Sequence, residues 1–287
     1  MLCKAEFRTK MNFRRTIACL LIFFISATQL SAKKYLDSGE IAGIGSASVG
    51  VFGLGLLINN KTDHNPIIFK GPLPLERSIQ KLLGGSYYAG KTNFLDNRFG
   101  SAITPLLGSI ILFSADSRYP LGDRTKTVLQ DQFLYFSGLT ATWGVTSFFK
   151  GVFDRERPQT ALYPDEAAER ENINPRYDHQ SFFSGHTSSA FFSMSFLNSR
   201  LRAIMRSEMS LENYHKWRWI SPAVLYGWAG FVGWSRIHSY KHYLSDVLVG
   251  ALAGYLVSEL FLKIGDNLYS NQAQGNQNYI IKISLKF

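Results

Sequence analysis

The chain has 287 residues, enough for one large domain or two small ones with a sizeable buried core, which argues against disorder. Hydrophobic residues make up 46% and charged residues 18%, below the roughly 25% of soluble domains, while Phe (22), Tyr (14) and Trp (5) are abundant, a balance that points toward lipid. A formal charge of +10 with no zinc-finger spacing, phosphate loop or Lys/Arg block suits anionic head groups or a phosphorylated substrate, not nucleic acid, and the only cysteines, Cys3 and Cys19, exclude disulfides and cysteine metal sites.

Residues 11–32 read as a secretory signal: Arg14 and Arg15 are the basic start, Ile17 to Ile25 the apolar run, and Ser31-Ala32 a small-residue exit. Leu30 stands where a small residue is preferred, so an uncleaved signal anchor is the alternative. Six apolar stretches then recur and predict helices: Ile41 to Ile58, Ser101 to Ala115, Phe133 to Phe149, Ser188 to Leu197, Trp219 to Trp234 and Val247 to Leu262. Their lengths straddle the boundary between a core helix and a membrane span, for which about 20 residues are needed, and a mean hydropathy of −0.05 agrees with short or mixed helices. Gly43, Gly45, Gly50, Gly53 and Gly55 would allow close helix approach in lipid or else form a flexible linker. Asn59 to Gly100, Asp116 to Gln132, Gly151 to Phe183 and Arg200 to Arg218 read as connections. Within the third, the acidic run Asp165 to Glu171 is a solvated face or, as the minority reading, a lid. The closing residues Tyr279 to Phe287 alternate with a strand period.

Three clusters carry chemistry. In K-G-V-F-D-R-E-R-P, Lys150 and Arg157 would lie two turns apart on one helical face, and Pro158 would end the helix. A solvated basic face would look the same. In F-S-G-H-T-S-S-A, Ser184, Gly185 and His186 precede an apolar helix whose N-terminal amides can hold an anion; the alternative is a Ser cap with an incidental histidine. In S-R-I-H-S-Y-K-H-Y-L-S-D, His242 and Asp246 sit at i and i+4, where a carboxylate can accept the Nδ1–H and stabilise the charge that develops as Nε2 attacks an electrophile, while Arg236 offers a fork for anionic oxygens. Metal ligation by His238, His242 and Asp246 competes, but no familiar metal-site spacing is present.

In order, K-x6-R-P, S-G-H and S-R-x5-H-x3-D resemble the tripartite signature of the type 2 phosphatidic acid phosphatase (PAP2) superfamily, which also contains bacterial class A acid phosphatases and vanadium haloperoxidases. The resemblance spans roughly Phe133 to Leu262 and implies an all-α helical bundle, membrane-embedded here; the terminal alternation adds a short β-like tail. Together with the signal reading, this divides the chain into a signal or anchor (1–32), a phosphatase domain (33–270, motif core 133–262) and a tail (271–287). It implies that Lys150, Arg157, Ser184, Gly185, His186 and Arg236 bind a phosphoryl group, that His242 attacks phosphorus, that Asp246 orients His242, and that His186 protonates the leaving oxygen. Phe183 stands where the family usually has Pro, which removes no chemical group. His64, His179 and His215 match no motif position.

The implied activity is hydrolysis of a lipid phosphate or diphosphate through a phosphohistidine, with no metal or other cofactor. A membrane and a phosphorylated lipid would be the partners, and the place a bacterial envelope, with the site facing the periplasm from the inner membrane. A soluble periplasmic acid phosphatase, a vanadium-dependent haloperoxidase and a non-catalytic anion-binding envelope protein are the alternatives.

Overall fold

Each of the six apolar stretches from Ile41 onward folds as helix, and each helix extends beyond the hydropathic stretch on at least one side. A computed structural model describes residues 35–60, 71–85, 99–163, 165 and 175–276, with backbone alone for 99, 175–176 and 266–276. Helix α1 spans Ser38–Asn59 and α2 Pro74–Leu83; a π-helical turn, Phe99–Ile103, leads into α3, Thr104–Arg118. Next come α4, Arg124–Phe153, and two single turns, α5 (Pro158–Ala161) and α6 (Pro175–Asp178). The last four are α7 (Gly185–Glu208), α8 (Leu211–Trp217), α9 (Ile220–His238) and α10 (Leu244–Asn276). The described residues contain no strand, as the all-α reading expects. The signal segment and the alternating Tyr279 to Phe287 lie outside them, and α10 runs on to Asn276, into the stretch assigned to the tail.

Local chemistry sets the helix starts. Asp37 and Glu40 close a capping box on α1, and the Asp123 carboxylate accepts the Lys126 N–H to cap α4. Helix α7 is central and packs on α3, α4, α9 and α10. Leu112, Leu134, Tyr135, Phe192, Phe196, Val232 and Phe261 interlock between these helices, each fully burying an apolar side chain at about 1.5–3 kcal/mol. The four helices run alternately up and down, so the C-terminal ends of α4 and α9 and the N-terminal ends of α7 and α10 meet at one end of the bundle.

Two helical segments, Ser38–Asn59 and Leu244–Gly265, are long and apolar enough to cross a membrane by length and composition. Large apolar side chains face outward there and on α3 and α9, among them Leu57, Leu106, Ile110, Val224, Leu248 and Leu252. Polar stretches behave differently from the sequence reading. Asp116 to Gln132 is only in part a connection: Asp116 ends buried on α3, and Arg124 to Gln132 form the first turns of α4. Arg200 is buried on α7 with its Nε 3.0 Å from Asp131 Oδ2, so it is no loop cation.

Among the glycines of α1, close approach is confined to one end. A Cβ at Gly55 would overlap the Gly144 carbonyl of α4, whereas Gly43, Gly50 and Gly53 face open space. Gly55→Leu should therefore lower the thermal midpoint of the detergent-solubilised chain, by about 1–3 kcal/mol of overpacking, and Gly50→Leu should leave it within about 0.5 kcal/mol. Equal midpoints for the two variants would show that α1 does not dock on α4 at Gly55.

Candidate active site

The first cluster is not one helical face. Helix α4 ends at Phe153, Asp154 takes a left-handed conformation (φ 45°), and Arg157 sits beyond it in extended backbone, with Pro158 opening α5 instead of closing a helix. Lys150 is the last-turn cation of α4, and Arg157 reaches the same place by another route. The Arg157 guanidinium donates to the carbonyls of Tyr177 (2.8 Å), Lys241 (3.1 Å) and Gln180 (3.2 Å) and stacks 3.9 Å from the Tyr177 ring centroid. Three carbonyls and a ring thus fix the plane of the fork, an arrangement no ammonium can copy.

The second cluster opens α7 three residues earlier than its apolar run. Ser184 is the N-cap: its Oγ accepts from the Thr187 N–H and hydroxyl, and its own N–H donates to the Asp246 carbonyl at 3.0 Å. The capping role weighed against phosphate binding is therefore present in the structure. Gly185 faces Lys150 so closely that a Cβ there would lie 3.9 Å from Nζ. His186, half-buried on the first turn, has its Nε2 3.4 Å from the Ser101 hydroxyl of the π-helical turn.

The third cluster departs from the expected i, i+4 pair. His242 precedes α10, in a loop wrapped on the Arg236 carbonyl, which accepts the N–H groups of Lys241 and His242. Its Nδ1 lies 2.7 Å from the Ser181 carbonyl and 3.8 Å from Asp246 Oδ2, so the direct acceptor is Ser181 and not Asp246. Asp246 instead accepts from Ser181 Oγ (2.6 Å), the Tyr243 N–H (2.9 Å) and Arg155 Nη1 (2.6 Å). A carbonyl can only accept; Nδ1 therefore carries the proton and Nε2 the lone pair. Burial first, then the charges of Arg157, Lys150 and Arg236, push the imidazole well below the ordinary histidine range, with the Ser181 carbonyl pulling weakly the other way. All three cations thus act on the same imidazole.

All the sequence-predicted site residues thus gather at one end of the bundle. Sequence reasoning missed Ser181, Arg155 and Glu76. Arg155 stands inside the first cluster and Ser181 shortly before the second, whereas Glu76 of α2 gives no local signal. No group of three His, Cys, Asp or Glu side chains suited to a metal occurs among the described residues; His238 stacks 4.9 Å from Trp234. His215 packs beside Tyr214 on α8, His179 lies near Glu156, and His64 and the acidic run beyond Asp165 fall outside the described residues.

The electrostatics sets a titration. A neutral imidazole with Nδ1 protonated should persist as the pH falls through the ordinary histidine value of about 6.5. Nitrogen-15 imidazole spectra, assigned by loss of the signal in His242→Gln, check this; a ring that titrates at the ordinary value, or an Nε2–H tautomer, would contradict the geometry. Removing one cation with Arg236→Met should raise the His242 value.

A model described as the PAP2 superfamily matches residues 132–269. Human phospholipid phosphatase 2 is 38% identical over 86 residues, covering 28% of this chain and 26% of that protein. The probable diacylglycerol pyrophosphate phosphatase 1 of Schizosaccharomyces pombe is 34% identical over 79 residues, covering 28% of each chain. Diacylglycerol pyrophosphate phosphatase 1 of Saccharomyces cerevisiae is 24% identical over 221 residues, 69% of this chain and 73% of that one. The chain therefore spans about a quarter of the length of the curated relatives it matches first. Among solved structures, a transmembrane PAP2-type phosphatidylglycerolphosphate phosphatase from Bacillus subtilis aligns over 92% of this chain and 98% of its own, at TM-score 0.42 and 16% identity. The stretch that matches the PAP2 superfamily model, just under half of the chain, holds Lys150, Arg157, the Ser184–His186 cap, Arg236, His242 and Asp246.

Proposed function

We propose that this chain is a membrane-embedded phosphatase that hydrolyses a lipid phosphate or diphosphate through a covalent phosphohistidine at His242, without a metal. The observation that carries the reading is the tautomer lock: the Ser181 carbonyl holds the Nδ1 proton and leaves Nε2 as an uncharged nucleophile among Lys150, Arg157 and Arg236.

A phosphomonoester brings about two negative charges, and the three cations with the amides at the start of α7 can neutralise the charge spread over its equatorial oxygens. In the first step Nε2 bonds to phosphorus as the bond to the leaving oxygen breaks, and His186 gives that oxygen a proton. In the second, water attacks the phosphohistidine, His186 takes the proton, and inorganic phosphate leaves. Asp246, 3.8 Å from Nδ1, stabilises the imidazolium through space instead of through a direct hydrogen bond.

A lipid substrate is supported by the outward-facing apolar side chains, by the two helices long enough to span, and by relatives whose names are lipid phosphatases. For orientation, the last turns of α7 and the segment through α8 carry Arg202, Arg206, Lys216 and Arg218 against Glu208 and Glu212 once buried Arg200 is set aside. This excess favours the cytoplasm for that end, which turns the site toward the periplasm of a bacterial inner membrane. A thiol introduced at Ala161 should then react with an impermeant reagent in intact spheroplasts, and reaction only after lysis would reverse the orientation.

The test of function is phosphate release by the detergent extract from a panel of lipid phosphates, lipid diphosphates and a soluble chromogenic phosphate, in chelator. Turnover should be highest on a lipid, persist in chelator, be inhibited by vanadate, and vanish in His242→Ala. His186→Ala should cost about 10²- to 10⁴-fold on a poor leaving group and less on an activated one. Silencing by chelator with rescue by a divalent metal, or normal turnover in His242→Ala, would overturn the mechanism.

A further inference from the structure

The first cluster contains a second arginine that the phosphoryl reading does not use. Arg155 is fully buried and lies between two carboxylates. Its Nη1 donates to Asp246 Oδ1 at 2.6 Å and to Ser245 Oγ at 2.8 Å; its Nη2 donates to Glu76 Oε2 and to the Gly71 carbonyl. The guanidinium face packs 4.3 Å from the centroid of the Tyr243 ring.

Glu76 comes from α2, a helix outside the stretch that matches the family. It is buried, its Oε2 also accepts the Leu73 N–H, and its Oε1 accepts the N–H and hydroxyl of Ser245, the residue before Asp246. One turn on, buried Gln80 donates through Nε2 to the Ile237 carbonyl at 2.6 Å. The two buried polar side chains of α2 therefore grip the two ends of the loop that bears His242.

The charges give this grip a chemical meaning. As Nε2 forms its bond, the ring becomes cationic, and the nearest carboxylate is Asp246. A guanidinium paired with Asp246 alone would cancel that carboxylate. Because Glu76 shares the same guanidinium, the Glu76–Arg155–Asp246 group keeps one net negative charge facing the ring. Asp246 in turn holds Ser181 Oγ, and the carbonyl of Ser181 holds Nδ1.

We propose that Glu76 and Arg155 are positioning residues of the reaction, which fix Asp246 and leave its charge available to the imidazolium of His242. The proposal rests on the reading of His242 as the nucleophile. A purely structural brace would also be buried and hydrogen-bonded, so the test must read the chemistry as well as the fold.

The full chain in detergent is assayed as wild type, Glu76→Gln, Arg155→Met and the double variant, on the panel lipid that the wild type hydrolyses fastest. Glu76→Gln should lower kcat by about tenfold or more, while KM and the inhibition constant of inorganic phosphate change by less than about threefold, because Lys150, Arg157 and Arg236 are untouched. Its acid limb should move to lower pH, since an imidazolium that loses a negative neighbour is harder to form. The double variant should turn over faster than Glu76→Gln, because removing the guanidinium with the glutamate restores one negative charge at Asp246. Should Glu76→Gln fail to fold, Glu76→Asp keeps the charge and is expected to hold the wild-type acid limb at a lower thermal midpoint. Wild-type kcat and acid limb in folded Glu76→Gln, a displaced limb in Glu76→Asp, or a double variant no faster than the single would overturn the proposal. Turnover that survives His242→Ala would instead place the failure in the nucleophile assignment.

Discussion

One carboxylate joins the parts of the site. Asp246 is fully buried at the start of α10, and burying an anion is costly unless donors replace the lost water. Here Ser181 Oγ, the Tyr243 N–H and Arg155 Nη1 serve the carboxylate, while its main-chain carbonyl accepts the Ser184 N–H. Those donors come from the loop after α4, the segment entering α7 and the residue following His242. Satisfying one charge therefore brings three stretches, separated by up to ninety-one positions, to one point. Hydrogen bonds to a buried anion are the strong kind, and losing one partner strands the rest.

Around that anchor the charges are sorted. Lys150, Arg157 and Arg236 all act on the imidazole, and Arg157 and Arg236 on Lys150, a repulsion that a bound phosphoryl dianion would relieve; Glu76, Arg155 and Asp246 form a separate layer with the opposite net sign. The His242 imidazole lies between them. Burial and the cations keep it uncharged, and in the proposed mechanism the anionic layer would meet the charge that develops on it. The far end of the bundle holds a contrasting group, buried Asp116, Asp131 and Arg200, in which neither oxygen of Asp116 has a hydrogen-bond partner.

The helices were legible because apolar runs and caps are local signals, and both survive in the fold. What misled was spacing read as if it implied one continuous helix. Lys150 and Arg157 fit two helical turns, yet Asp154 breaks α4 between them; His242 and Asp246 fit one turn, yet α10 starts only at Leu244. In both pairs the residue types and their convergence were legible, and the route was not, because hydrogen bonds to Asp178, Ser181 and Arg236 carbonyls decide it. Such bonds join residues tens of positions apart and leave no period in the sequence. Glu76 is the extreme case: its partners are Arg155 and Ser245, and a lone glutamate near a helix start reads as ordinary capping. The polar stretch Asp116 to Gln132 misled for the opposite reason, since buried ion pairs look like solvent-facing loops when only polarity is counted.

The stereochemical course at phosphorus tests the central claim most directly. Hydrolysis or transfer of a phosphoryl group made chiral with oxygen isotopes reports the number of in-line displacements, whatever the identity of the lipid. Attack by His242 Nε2 followed by attack of water comprises two inversions, so overall retention of configuration is expected. Overall inversion would mean that water attacks the substrate directly and that no phosphohistidine forms.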